Sequence, residues 1–305
     1  MTAFNLQAQT YINKEWETTN GNPLGLQLTS SVTNSSNQLI SVGNTSVAGQ
    51  GANILITKFE RDGSIIWQSE FNTSGTNNDY GVALTEDNVG NIIVVGTTDN
   101  NSTINFDVVV LKYNTSGNLL WSAVYNSSFN LNDIATSVKV DTSGNVYVGA
   151  TSIGATTNFD FLVLKYNSSG ALQWNNRYDF ASLIEIPIGV NIDINGDVFI
   201  TGASASSSIS WDFTIAKFSP NGTFINDVRS SLQGVGFDQP LAYKKDAAGN
   251  IYITGRSSAI MTFAPSNSTQ TIFCNGAKYL ILMAKKMLPM LLMLMLQEMF
   301  ILAAM

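Results

Sequence analysis

DVVVLKYNTSGNLLWSAVY at residues 107–125, followed by DTSGNVYVGA at 141–150, decides the fold. DVVVLKY is a short β-branched run, apolar at successive positions, as expected of a strand covered on both faces. Asn114, Thr115, Ser116 and Gly117 supply turn chemistry, with glycine available for positive φ. Leu119, Trp121, Ala123 and Tyr125 then share one face by period two. Ile134 to Val140 reads as a third strand, Asp141 to Asn145 as a second tight turn, and Val146 to Ala150 as a fourth strand. Turns this short make the strands they join antiparallel.

The same text returns along the chain. A lysine closes the apolar strand at Lys58, Lys112, Lys165 and Lys217, in steps of 54, 53 and 52 residues. Nine residues after the first three stand Trp67, Trp121 and Trp174. The second turn recurs at Asp87, Asp141, Asp193 and Asp246, each with a glycine three residues on: Gly90, Gly144, Gly196 and Gly249. A four-stranded antiparallel unit repeated at this period predicts an all-β fold, a partial β-propeller. The repeats are placed at 51–99, 107–152, 160–204 and 212–257, after a partial unit at 11–46, so that 10–258 forms one propeller domain.

The pattern D-F-x-x-x-K-[YF]-x-x-x-G-x-x-x-W, then D-x-x-G-N-[VI]-[YF]-[VI]-x-G, resembles the bacterial β-propeller repeat called SBBP. Its first half stands at Asp107, Lys112, Gly117 and Trp121, and at Asp160, Lys165, Gly170 and Trp174. Its second half stands at Asp141, Gly144, Asn145 and Tyr147, and at Asp246, Gly249, Asn250 and Tyr252. Two positions depart: Asn226 replaces the tryptophan of the fourth copy, and Asn53 the leading aspartate of the first. The resemblance implies an exported or surface-displayed bacterial protein and carries no catalytic residues with it.

Composition narrows the chemistry. The 305 residues are 44% hydrophobic and only 12% charged, enough apolar material for a large core. A net charge of −7 argues against a nucleic-acid partner. With a single cysteine, Cys274, no internal disulfide or cysteine-cluster metal site is available. The chain has no histidine, which excludes Ser-His-Asp and Cys-His catalysis and His-ligated zinc. No cofactor is expected. Residues 1–9 read as the remnant of an export signal, with a frayed polar terminus as the alternative, and the expected location is secreted or cell-surface.

Each repeated residue has a structural reading and a chemical one. Asp193, Asn195 and Asp197 follow the opening of a calcium loop, but the later bidentate glutamate is missing. Aspartate also closes tight turns by accepting backbone N–H groups, and that reading is preferred. Trp67, Trp121 and Trp174 are read as wedges between sheets, with carbohydrate-stacking platforms as the alternative. The lysines recur in every unit, so they are read as structural, the stem packed and the ammonium at an edge or paired with a repeated aspartate. Arg177, Glu185, Arg229 and Arg256 are the charges that do not repeat. The expected function is a non-catalytic binding module or surface scaffold with an unknown protein or glycan ligand. The rival is a propeller-fold enzyme, such as a polysaccharide lyase or a quinone-dependent dehydrogenase.

After Ser258 the pattern stops and the chain becomes rich in methionine and leucine. Reading the third base of each codon with the first two of the next, Met261–Thr262 must encode Asp, Ser266–Asn267 permits Lys, and Phe273–Cys274 must encode Leu. These fall at the repeat's own offsets, so 259–305 is read as frameshifted. A membrane-spanning tail at 287–305 is the alternative.

Overall fold

The computed structural model describes residues 26–99, 105–207, 210–230, 236–246, 251–259, 270–273 and 279–283. Residues 1–9, Gly249 and the 287–305 stretch lie outside them. Among the described residues every regular element is a strand, and no helix is long and apolar enough to cross a membrane.

Four complete sheets follow one another, each a four-strand antiparallel meander. The first holds β1 (Leu26–Thr33), β2 (Leu39–Val47), β3 (Gly51–Phe59) and β4 (Ile65–Phe71). The second holds β5 (Asp79–Glu86), β6 (Ile92–Thr98), β7 (Asp107–Tyr113) and β8 (Leu119–Tyr125). The third holds β9 (Asp133–Val140), β10 (Val146–Ile153), β11 (Phe159–Tyr166) and β12 (Leu172–Tyr178). The fourth holds β13 (Glu185–Ile192), β14 (Val198–Ser207), β15 (Ser210–Phe218) and β16 (Phe224–Ser230). A further antiparallel pair, β17 (Gly236–Lys245) and β18 (Ile251–Ala259), is joined to β15 by one backbone bridge, Trp211 to Phe237.

The hydrogen-bonded sheets are therefore offset by half a unit from the repeats read in sequence. The unit at 107–152 gives β7 and β8 to the second sheet, and β9 and β10 to the third. Likewise the partial unit at 11–46 supplies β1 and β2 of a complete sheet. Pairing decides this: β6 bonds β7 along its whole length, whereas the chain leaves β8 to begin a new sheet with β9.

Sheets stack face to face, and period-two alternation divides each middle strand between two cores. Ile92 and Val94 of β6 pack toward the first sheet, with Ile40, Val42, Ile54 and Ile56. Ile93 and Val95 pack toward the third, with Val146, Val148, Leu162 and Leu164. Hence every residue of β6 and β7 is buried. The first strands touch in succession, β1 to β5, β5 to β9, β9 to β13 and β13 to β17, so the sheets converge there. The fourth strands lie outermost and leave Ile65, Leu119, Leu172 and Phe224 exposed.

Beyond β18, β19 (Gln270–Phe273) pairs antiparallel with β20 (Tyr279–Met283), and β20 runs parallel to β18. In the four complete sheets the third strand is antiparallel to the second.

Candidate functional site

One end of the stack carries the tight turns. The nine-residue spacing of lysine and tryptophan is a hairpin register: Lys58 faces Trp67, Lys112 faces Trp121, Lys165 faces Trp174, and Lys217 faces Asn226. Each indole then reaches the following sheet. Its Nε1–H donates to a turn carbonyl, Trp67 to Thr115 at 3.0 Å, Trp121 to Ser168 at 3.1 Å and Trp174 to Pro220 at 3.1 Å. The ring lies on the glycine of that turn: a Cβ on Gly117, Gly170 or Gly222 would meet Trp67, Trp121 or Trp174 at 2.7 Å. Trp67 and Trp121 also stack on Tyr113 and Tyr166. These indoles join neighbouring sheets at the periphery.

The lysines lie in the same layer. Lys112 Nζ is 3.0 Å from Asp87 Oδ2, both buried, and Lys217 Nζ is 2.7 Å from Asp197 Oδ2. Lys165 donates to the Pro220 carbonyl and lies over the Tyr147 ring. Lys58 is buried in β3. The turn aspartates act as caps. Asp141 Oδ1 accepts from the N–H of Ser143 and of Asn145 at 2.9 Å each, and its Oδ2 takes the Tyr147 hydroxyl. Asp246 takes the Tyr252 hydroxyl in the same way. Burial alone would raise the Asp87 carboxyl, but hydrogen bonds from Asn91, Lys112 and Val89 hold it below its ordinary value. Asp193 Oδ1 accepts from the N–H of Asn195 at 2.8 Å and of Asp197 at 2.9 Å. One oxygen of Asp193 is thus engaged by the turn itself, and one of Asp197 by Lys217. Gly90, Gly144 and Gly196 close these turns with φ of +86°, +79° and +81°.

The opposite end brings acids together across each junction. Asp79, Asp133, Glu185 and Asp238 lie at or near the start of the first strands, and Asn53, Asp107, Asp160 and Asp212 near the start of the third strands. All eight are buried. At the first junction Asp79 is held by the Thr73 N–H and hydroxyl, both at 2.8 Å. Next along, burial pushes Asp107 up to about 6, and Asp133 adds to the shift. Asp133 is itself raised by burial, while its Oδ2 accepts the Ser127 N–H at 2.6 Å.

The third junction is the densest. Asp160, Asp179 and Glu185 place carboxylate oxygens within 4.8 Å of one another. Arg177 donates to Asp160 Oδ2, to the Ser152 carbonyl at 3.0 Å and to Thr157 Oγ1 at 3.2 Å. Ser204 Oγ donates to Glu185 Oε1 at 2.8 Å. Burial pushes Glu185 up to about 7, with Asp160 and Asp179 adding. Arg229 repeats the arrangement of Arg177, pairing with Asp212 at 3.2 Å and lying over Phe180. Of the four charges expected not to repeat, Arg177 and Arg229 thus hold equivalent places in successive sheets and Glu185 takes the place of Asp133. Arg177 and Glu185 meet in one cluster, while Arg256 lies on β18. Asp179 escaped notice in the sequence because its counterparts are Asn72 and Asn126, which blend into a composition rich in asparagine.

Between the fourth sheet and β17 lies a cleft of about 360 Å³, walled by Ile186, Ile188, Trp211, Phe237 and Pro240.

No protein-family model matches the chain, and neither does any curated protein sequence. Solved structures do. A PL25 polysaccharide lyase, an ulvan lyase, superposes with a TM-score of 0.51 at 11% identity, over 73% of this chain and 59% of that one. The same enzyme is also known bound to -[GlcA(1-4)Rha3S]-. The β-propeller domain of the Trilobed protease from Pyrococcus furiosus, described as having an open velcro topology, gives 0.41 at 7% identity, over 75% and 67%. An α-L-arabinofuranosidase from Lactobacillus brevis gives 0.41 at 12%, over 80% and 88%. At 11% identity the likeness to the ulvan lyase is one of fold. The sheet order and the converging first strands make the fold a partial β-propeller with four-stranded antiparallel blades. The chain spans about three fifths of the ulvan lyase's length.

Proposed function

We propose that this propeller is a non-catalytic binding module or display scaffold, exported to the bacterial cell surface. The observation that supports it is how the recurring polar and aromatic side chains are used. Tryptophans, lysines and turn aspartates, the residues a binding or catalytic site would draw on, close hairpins and join blades. A scaffold built this way leaves recognition to surfaces that do not repeat. The cleft between the fourth blade and β17 is such a surface. Trp211 and Phe237 offer it aromatic walls of the kind that stack on sugar rings.

The test is a polysaccharide-binding array run beside a lyase and glycosidase screen on the same glycans, with uronate-containing and sulfated polymers included. The expected result is binding without product formation, lost in Trp211→Ala. Turnover of any polymer would move the chain into the enzyme class. Fractionation of a native host, with the protein found only in the cytosol, would overturn the surface location.

A further inference from the structure

Three acids and one arginine at the junction of the third and fourth blades leave a charge imbalance that the protein does not cancel. Asp160 is 1% exposed and Glu185 is 0% exposed. Each has one oxygen engaged: Asp160 Oδ2 by Thr157 and Arg177, Glu185 Oε1 by Ser204. The other oxygen of each, Asp160 Oδ1 and Glu185 Oε2, is buried; Asp160 Oδ1 has no hydrogen-bond partner, and Glu185 is approached besides only by the Phe180 N–H. A buried carboxylate oxygen left this way carries its full desolvation cost. Arg177 supplies one positive charge against three carboxylates, and its Nη2 donates to Asp160, Thr157 and Ser152. Fully ionised, the cluster would carry two negative charges in excess.

We propose that this junction is a calcium site, ligated by Asp160, Asp179 and Glu185. The donor set is all oxygen, which selects a hard cation over zinc or copper. Calcium–oxygen distances of roughly 2.3–2.6 Å let ligands on opposite sides of the ion lie about 4.6–5.2 Å apart. The separations here, all within 4.8 Å, fit that span. Magnesium, at roughly 2.0–2.1 Å, demands a stricter octahedral arrangement. Asp179 is exposed, its Oδ1 accepting the Ser182 N–H at 2.8 Å, and its other oxygen gives the ion a route from solvent, while Asp160 and Glu185 form the buried wall.

Among the described residues, the first and second junctions do not assemble three carboxylates in this way. Asp79 at the first is satisfied by Thr73. At the second, Val124 and Asn126 stand where Arg177 and Asp179 stand in the third, so the third carboxylate is missing. The site also ties two blades together: Asp160 belongs to β11, Glu185 to β13, and Asp179 to the link between β12 and β13. A bound cation would therefore stiffen a blade junction.

The experiment uses the full chain, freed of metal with a chelator and then titrated with calcium chloride. An affinity in the range of extracellular calcium modules, Kd of about 10⁻⁴–10⁻³ M, is expected. At 10 mM calcium the melting midpoint should rise by about 3–6 °C, since a ligand that binds only the folded state stabilises it by mass action. Terbium should replace calcium and show luminescence sensitised by nearby aromatic residues. Asp179→Asn alters an exposed side chain and should leave the fold intact while weakening both responses at least tenfold. Asp62→Asn, at an exposed turn far along the chain, should leave them unchanged. No calcium or terbium response in the native sequence would overturn the proposal, as would an undiminished response in Asp179→Asn. A response that disappears in Asp197→Asn but persists in Asp179→Asn would place the ion in the Asp193 turn and overturn it equally.

Discussion

The indole-on-glycine joint between blades makes a quantitative prediction that a double-mutant cycle can test. Trp121 makes one hydrogen bond to Ser168 at 3.1 Å, stacks on Tyr166 at 6.2 Å and covers Gly170. Truncating a core aromatic to alanine costs roughly 3–5 kcal/mol. Trp121 is half-buried, so Trp121→Ala belongs near the lower end, about 3 kcal/mol. Gly170 has φ of +88°, and a Cβ there would meet the indole at 2.7 Å. Gly170→Ala therefore incurs a left-handed backbone cost of about 1–2 kcal/mol plus the displacement of the ring, about 3 kcal/mol together. With the indole already removed only the backbone cost remains. The double variant should then be more stable than the sum of the two changes predicts, by about 1–2 kcal/mol. Equilibrium urea unfolding of the four proteins measures this directly. Strict additivity, within about 0.5 kcal/mol, would mean that the indole does not rest on the glycine and that the joint is misread.

Other outcomes follow from the same structure. Lys112→Met strands the buried Asp87 and should cost about 3 kcal/mol, whereas Lys217→Met at the more open Asp197 pair should cost about 1 kcal/mol or less, both by urea unfolding. Asp107 is raised from 3.8 to about 6 in the folded state, so its contribution is fully present below pH 3.8 and is lost as pH rises through about 6. Melting midpoints from pH 4 to pH 7 should fall for that reason by the equivalent of about 2–3 kcal/mol, and Asp107→Asn should flatten the decline. An unchanged slope would count against the paired acids of the second junction. A Cβ on Gly189 would overlap the Tyr243 ring at 1.7 Å, so Gly189→Ala should expel Tyr243 and loosen β17 from the fourth blade. Limited proteolysis should then cut near β17 and β18 while the first three blades persist.

Much of this molecule follows from local chemistry that any reader of the chain can apply. The both-face apolar runs at Ile92–Thr98 and Asp107–Tyr113, the aspartate-to-asparagine turns and the nine-residue lysine-to-tryptophan step are short-range features. Hairpin register and tight-turn capping are decided within a dozen residues. That is why strand number, antiparallel order and the repeat were legible. Where each sheet begins was not. The link between β6 and β7, which stay in one sheet, is eight residues, one longer than the seven-residue link between β8 and β9, which belong to two. Neither length nor composition separates a hairpin from a crossover there, so only the hydrogen-bond pairing could set the blade boundary. The carbonyls that receive the tryptophans lie 46 to 48 residues away, and stacking alone selects them. Asp160 stands out in the sequence as a repeat position and Glu185 as a separate charge, but nothing in the letters joins them to Asp179. Their chemistry arises because blade stacking carries the starts of β11 and β13 into one buried junction, where carboxylates that water would have screened must find another partner.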